Sequence, residues 1–421
     1  MSVWSFDGTD YLDAASSDPA TLGWMQGFPP PNNRLIRFSD DRCLEFPESR
    51  WSLSHSRDWM ATTAVQRDPS RVVSLAVPPL SQQQAIETIR FKDLSDQELS
   101  WEHGLLRTYT DGIAIMHRGH LVYERYFGAL RPNYPHLSFS LTKSYLATLA
   151  ATLIHHGTLN DGWLVTHLIP ELKGSAYEDA TVRQLLDMEV GVDYSEDYAD
   201  RHSAVWQYAW ATGMRPKPNP YTGPTGIRAL LPTLKKHGDH GNAFDYKTPN
   251  TEVLCWMIER LTGQSTAPFL SEQLWAPLGC EFDGSLIVDP TGVAVAGAGL
   301  SVTLRDLTRF GALLCHYGVA SGRQIIPEAV VEDLMRGGDV THFPQADYPL
   351  LPGYSYHNQW WVTHNPAGAF EGRGIHGQRL YVAPKAELVI ARLASHPIAT
   401  SAANDPITQP LIAAVSRFLC S

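Results

Sequence analysis

Two β-rich runs, 112–117 (Gly-Ile-Ala-Ile-Met-His) and 120–127 (His-Leu-Val-Tyr-Glu-Arg-Tyr-Phe), flank Arg118-Gly119 and predict a hairpin. After Ser140 the period changes. Leu141, Tyr145, Leu149 and Ile154, with Leu146 and Leu153 alongside, form a broad apolar stripe at helical spacing, closed by Gly157. Thr181 opens a short helix, and 250–261 reads as another, capped by Asn250. Thr303-Leu-Arg-Asp306 has capping-box spacing ahead of a helix running to about His316. Segments 374–382 and 387–393 alternate as paired strands, and 410–419 reads as a terminal helix. Strands thus gather near 112–127 and 374–394, while 158–290 is mostly helix, Pro and Gly.

This distribution predicts an α/β (α+β) fold: one antiparallel sheet assembled from distant parts of the chain, flanked by helices, with a mostly helical domain inserted. The expected boundaries are an irregular N-terminal extension over 1–60, a sheet domain from 61–157 and 291–421, and a helical domain over 158–290. The extension is rich in Pro, Asp and Ser, but Trp4, Trp24, Phe28 and Trp51 are too apolar for a disordered tail.

Charge removes one class of partner. Against 44 Asp and Glu stand 33 Lys and Arg, a net charge of −11 with no basic stripe, so nucleic acid is not an expected partner. No apolar run approaches the roughly 18 to 20 residues that span a bilayer, and the N-terminus lacks the basic start and apolar stretch of a signal peptide. The five cysteines are far apart and form no C-x-x-C. A cytoplasmic protein with reduced thiols and no membrane contact is expected.

Three segments carry candidate chemistry. In 136–144 (His-Leu-Ser-Phe-Ser-Leu-Thr-Lys-Ser), Ser140 at a helix start places Lys143 one turn on and on the same face. A serine hydroxyl needs a neighbouring base, and a desolvated lysine supplies one; the bland alternative is a solvated lysine and a capping serine. In the loop before the 250–261 helix, Tyr246 is a proton shuttle if a nearby ammonium lowers its pKa, and otherwise a core tyrosine. The glycines of 372–378 (Gly-Arg-Gly-Ile-His-Gly-Gln) let a backbone N–H approach a ligand, as an oxyanion hole requires. His237 and His240, and the pair His155-His156, lack a third metal ligand at a recognisable spacing, and 292–299 lacks a nucleotide-binding glycine pattern. No metal and no cofactor are expected.

Taken in order, 136–144, Leu186-Asp-Met, 193–198 (Asp-Tyr-Ser-Glu-Asp-Tyr), 246–263, Arg305-Asp-Leu, Gln359-Trp-Trp and 374–378 resemble the serine β-lactamase and penicillin-binding-protein superfamily. The resemblance is strongest to its class C-like esterase and amidase branch, and there to the 6-aminohexanoate-oligomer hydrolases. It implies a β-lactamase-like fold and an acyl-enzyme on Ser140, with Lys143 as proton acceptor or electrostatic partner. Tyr246 would be the base that later protonates the leaving group, and the N–H groups of Ser140 and Ile375 the oxyanion hole. Tyr198 matches a substrate-orienting tyrosine, and Asn250 the structural or substrate-facing Asn after the tyrosine.

The departures from that pattern shape the substrate expectation. Tyr246 and Asn250 stand four apart where class C enzymes have Tyr-x-Asn. Gly372-Arg373-Gly374 replaces Lys-Thr-Gly, leaving Arg373 or His376 to meet a substrate carboxylate, and Ser-Asp-Asn is absent. Efficient penicillin hydrolysis is not expected. The acidic position that anchors a substrate amine falls near Ala209, and a polar contact near Gly297, so a substrate ammonium would be desolvated without a carboxylate. A short-chain carboxylesterase, with small amides as poorer substrates, is therefore expected, as a monomer or homodimer. The alternatives are a 6-aminohexanoate-oligomer amidase and a non-catalytic binding member. Residues 206–210 (Trp-Gln-Tyr-Ala-Trp), Trp360 and Trp361 are the expected apolar walls.

Overall fold

Alternate residues of the central strands face opposite ways, and both sides are apolar. In the computed structural model, which describes residues 2–6 and 8–420, Ile113, Ile115, Val122, Leu388 and Ile390 join Trp101, Leu105, Leu411 and Val415 in one buried cluster. Ala114, Met116, Leu121, Val389 and Ala391 join Leu141, Tyr145, Leu307 and Phe310 in another. This strand period places helices on both faces of the sheet: Trp101–Arg107 and Asp405–Cys420 on one, Leu141–His155 and Leu304–Cys315 on the other.

The sheet has seven antiparallel strands in the order Ser355–His357, Trp360–Val362, Phe370–Gly374, Gln378–Ala383, Leu388–Ala394, Thr110–His117 and His120–Tyr126. It is assembled from distant segments, as the sequence implies. Arg118 (φ 49°) and Gly119 (φ 76°) both take positive φ, the turn that suits a tight hairpin.

A smaller sheet positions the site. Its order is Thr62–Val65, Gly284–Ile287, Leu300–Val302 and His136–Leu137. The Ser138 N–H donates to Leu300 O at 2.8 Å, which holds the chain entering Ser140 beside the chain leaving Gly297. Helices from Val165–Leu168 to Ala276–Leu278, most of them short, are the main regular elements of 158–290, separated by long irregular stretches, and Gly284–Ile287 is a strand of this sheet.

Three local expectations change. Within 1–60, Val3–Phe6 pairs with Thr9–Leu12, and short helices span Pro19–Leu22 and Ser49–Ser52. Trp4 and Phe46 meet Tyr109 edge-on at 5.4 and 5.3 Å, and buried Arg50 pairs with Asp111 at 3.1 Å, so this segment docks onto the sheet. The 374–382 run is broken: Phe370–Gly374 and Gln378–Ala383 are neighbouring strands joined by a turn in which His376 and Gly377 take positive φ. The terminal helix begins at Asp405, with Pro410 inside it. The Pro406 carbonyl, which a residue-410 N–H would otherwise satisfy, accepts the Leu94 N–H at 2.9 Å, so the proline is tolerated.

At the edge strand, His357 Nδ1 lies 2.9 Å from Asp187 Oδ1 and Nε2 lies 2.8 Å from Asp333 Oδ2. Burial disfavours its charge, but the bonds to both carboxylates outweigh it and raise its pKa to about 9. A raised histidine stabilises the fold fully below its unfolded pKa, and that contribution is lost as pH climbs through about 9. Melting temperature is therefore expected to fall between roughly pH 7 and 9.5, by up to about 3 kcal/mol in stability, and His357→Gln should flatten that fall. An unchanged slope in the variant would refute the assignment.

Candidate active site

The position of Ser140 follows from a strained turn. Phe139, buried, takes φ 47°, a left-handed conformation that is costly for a bulky residue. Ser140 follows with φ −62° and ψ −12° and leads into the Leu141–His155 helix. One turn on, Lys143 is 1 % exposed, which removes the solvated-lysine alternative. Its Nζ donates to Ser140 Oγ at 2.8 Å and to Gly297 O at 2.7 Å. Burial lowers its pKa to about 8, against the opposing pull of the Glu196 and Glu252 carboxylates. A neutral amine is thus accessible near neutral pH.

Tyr246 reaches the same spot from the loop before the Pro249–Thr262 helix. Its ring centroid is 5.0 Å from Lys143 Nζ, and it stacks on Trp361 at 5.9 Å. The sequence-based idea of a lowered phenol pKa is corrected here. Burial first, and the Glu196 carboxylate second, push Tyr246 well above its ordinary value, while the adjoining Ser140 hydroxyl works the other way. In the resting site Tyr246 is a neutral phenol and a proton donor.

Ile375 arrives from the turn after Phe370–Gly374. A Cβ on Gly374 would sit 2.5 Å from Ser138 O, so only glycine lets this strand end approach the Ser140 turn so closely. His376 takes φ 61°, and its ring faces that of Phe139 at 5.4 Å. The two residues that flank Ser140 and Ile375 in strained conformations therefore pack on each other. His376 Nδ1 is engaged with His396 O at 2.7 Å, and burial holds its pKa down at about 4, so it is a neutral wall and not a cation for a substrate carboxylate.

Asn250 requires correction on two counts. It sits inside the first turn of its helix, after Pro249, and does not cap it. Its side chain is fully buried, with Oδ1 accepting from Tyr177 Oη at 3.2 Å and Nδ2 facing Met188 Sδ at 3.5 Å. It lines neither cavity. Arg373 is likewise committed, to Asp405 and Glu371. Of the expected walls, Trp206, Ala209 and Trp361 line cavities, but Trp360 is core and bonds Thr148 Oγ1 at 3.1 Å.

Two cavities of about 400 and 470 Å³ meet at Ser140, Tyr198, Ile375 and Thr400. The first is walled by Phe139, Val205, Trp206, Tyr208, Ala209 and Met214, and also by Tyr11, Leu44 and Glu45 from the N-terminal segment. Its carboxylates, Glu45 and Asp197, are matched by Arg201 and Arg215. The second is walled by Tyr246, Tyr348 and Trp361. It holds Glu196, Asp245, Asp347 and Asp405 against Lys247 and Arg373; Lys247 pairs with Asp245 at 2.9 Å and Arg373 with Asp405. Tyr198 Oη donates to Glu196 Oε2 at 3.1 Å. Glu252 went unnoticed in the sequence because it sits in an otherwise apolar run, yet it is buried behind Lys143. Among the described residues no group of three His, Cys, Asp or Glu could hold a metal ion, and no helix is long and apolar enough to cross a membrane.

Fold and site together place the chain in the β-lactamase class. It belongs to the beta-lactamase family, whose profile matches residues 104–413, and is a hydrolase of that superfamily. It is 34 % identical over 359 residues to the 6-aminohexanoate-dimer hydrolase of Paenarthrobacter ureafaciens, covering 85 % of this chain and 88 % of that protein. A solved Bacillus anthracis structure, provisionally named a 6-aminohexanoate-dimer hydrolase, superposes with a TM-score of 0.82 at 29 % identity, over 93 % of this chain and 99 % of that one. A family VIII carboxylesterase shares the fold, with a TM-score of 0.56 at 14 % identity over 83 % of this chain and all of that one.

Proposed function

We propose that the chain is a serine hydrolase that cleaves short-chain carboxylic esters, and small amides more slowly, through an acyl-enzyme on Ser140. The reading is carried by one observation: a buried lysine amine bonded to the Ser140 hydroxyl where two cavities join. Lys143 accepts the Ser140 proton as Oγ attacks the carbonyl carbon. The oxyanion develops against the N–H groups of Ser140 and Ile375. The Tyr246 phenol then gives its proton to the leaving oxygen or nitrogen as the C–O or C–N bond breaks, and recovers one from Lys143. Water attacks the acyl-enzyme with Lys143 or Tyr246 as base and releases the acid. The cavity walled by Trp206 and Ala209 takes the acyl chain, and the Tyr246 cavity the leaving group, bordered by Tyr198 and Trp361.

Charge favours esters over the 6-aminohexanoate dimer. The acyl cavity carries no net negative charge for the dimer's ammonium: Glu45 and Asp197 stand against Arg201 and Arg215, with Glu45 bonded to Arg215 at 2.8 Å. In the leaving-group cavity Lys247 and Arg373 are paired with Asp245 and Asp405, so Glu196 and Asp347 are left in excess of its cations, which opposes the dimer's terminal carboxylate. The similarity to a 6-aminohexanoate-dimer hydrolase supports the second reading, an amidase. One preparation assayed on a short nitrophenyl ester and on the linear dimer separates the two. Ester turnover is expected to exceed dimer turnover by on the order of 10²-fold or more in kcat/KM. Comparable rates would move the assignment to amidase.

A further inference from the structure

Glu252 has no part in the steps above, yet it is the most constrained charge behind the site. It projects from the Pro249–Thr262 helix, 3 % exposed, and its carboxylate takes three donors. Tyr208 Oη donates at 2.5 Å, the Gly297 N–H at 2.8 Å and the Ala296 N–H at 3.0 Å. The carbonyl of the same Gly297 is the second acceptor of Lys143 Nζ, at 2.7 Å. There is no slack around this residue: a Cβ on Gly297 would lie 2.6 Å from Thr248 Cγ2, 3.0 Å from Glu252 Oε1 and 3.1 Å from Tyr208 Oη. Two polar contacts fix the lysine amine, Ser140 in front and Gly297 behind, and the rear one is held by Glu252.

We propose that Glu252, braced by Tyr208, is a positioning residue for the Ser140–Lys143 pair: it fixes the Gly297 carbonyl that aims the lysine amine at the serine, and sets a negative charge behind that amine. The inference rests on Lys143 being the proton acceptor. Tyr208 connects this strut to the substrate, because it also lines the acyl cavity beside Ala209. The charged and titratable groups around the strut are few. Lys143 feels Glu252 and Glu196. Tyr208, Tyr177, Tyr194 and Cys255 also feel Glu252, but burial drives each of them further into its neutral form. Burial also raises Glu252 itself, to about 7, against the pull of its three donors. Near neutral pH the exchangeable protons behind Ser140 are therefore those of Lys143 and Glu252.

The pH profile of kcat/KM for a nitrophenyl ester tests this. Its acid limb reports the group that must be deprotonated to accept the serine proton. Glu252→Gln keeps the shape, removes the charge and replaces one accepting oxygen with an amide donor, which faces either the Ala296 or the Gly297 N–H. The plateau is expected to fall by roughly 10- to 100-fold with KM changed less than about 3-fold, and the acid limb to move to lower pH by about half a unit or more, because the ammonium form loses a stabilising anion. A variant with a lower plateau but an unmoved limb has only lost structure, and that result overturns the proposal, as does a wild-type profile. If Glu252→Gln does not fold, Tyr208→Phe carries the same measurement. It deletes one donor, Glu252 protonates more readily, and the limb should shift in the same direction; a folded Tyr208→Phe with the wild-type limb overturns the proposal. Ser140→Ala is assayed alongside. Residual hydrolysis there means that the serine reading has failed, whereas a dead Ser140→Ala with an unmoved limb in the strut variants means that the strut alone has.

Discussion

Ser140→Ala is expected to lower ester kcat/KM by on the order of 10⁴-fold or more while leaving the fold intact. The change deletes one oxygen. Lys143 keeps its bond to Gly297 O, and the Phe139 turn and the Leu141–His155 helix do not depend on that hydroxyl, which caps no N–H. Loss of a single buried hydrogen bond costs about 1 kcal/mol, too little to unfold a chain of this size. Circular dichroism and melting temperature should therefore match the wild type within a few degrees. Intact-protein mass spectrometry after quenching with a slow ester should show an acylated species in the wild type and none in the variant. A variant retaining a tenth or more of the activity would remove Ser140 from the mechanism, and the nucleophile would have to be sought among the other residues that line the two cavities.

Much of the frame was legible in the chain because it obeys short-range rules. The 112–127 hairpin is announced by two β-rich runs around Arg118-Gly119, and the Ser140 helix by its apolar stripe and Gly157. The Ser140–Lys143 pairing follows from helical spacing alone, since residues three apart lie on the same face about one turn along. What escaped depends on contacts between distant segments. No local pattern says that Tyr11, Leu44 and Glu45 would wall a cavity opening on Ser140, nor that the N-terminal segment is pinned by Arg50 to Asp111. Asn250 looked like a cap because Asn favours that role, but Pro249 already occupies the first helical position and the amide turns inward to Tyr177. Pro410 looked like a start because a proline usually cannot lie within a helix; Leu94, more than 300 residues earlier, accounts for the exception. The proton-shuttle reading of Tyr246 was conditional on a nearby ammonium lowering its phenol pKa, yet desolvation and Glu196 dominate and raise it. Charge effects of this kind are set by burial, which a sequence pattern does not record.

The second large effect concerns the leaving group and follows from that raised phenol. A neutral Tyr246 beside Ser140 is poised to give a proton, and different leaving groups need that proton to different degrees. A nitrophenolate departs as a stabilised anion, whereas an alkoxide or an amide nitrogen must be protonated as its bond to carbon breaks. Tyr246→Phe keeps the ring, and with it the stack on Trp361, and removes only the hydroxyl. For an alkyl ester or anilide the variant is expected to lose roughly 10²- to 10⁴-fold in kcat/KM, the usual worth of a positioned proton donor. For the nitrophenyl ester of the same acid the loss should be less than about 10-fold. Because kcat/KM covers only the steps up to formation of the acyl-enzyme, the shared deacylation step drops out of the comparison. Equal large losses on both substrates would show that the phenol acts on the serine proton before the leaving group is reached, and Lys143 would then be its electrostatic partner and not the acceptor. An unequal loss assigns the two proton transfers to two residues: Lys143, buried behind Ser140, for the attack, and Tyr246, which lines the leaving-group cavity, for the departure.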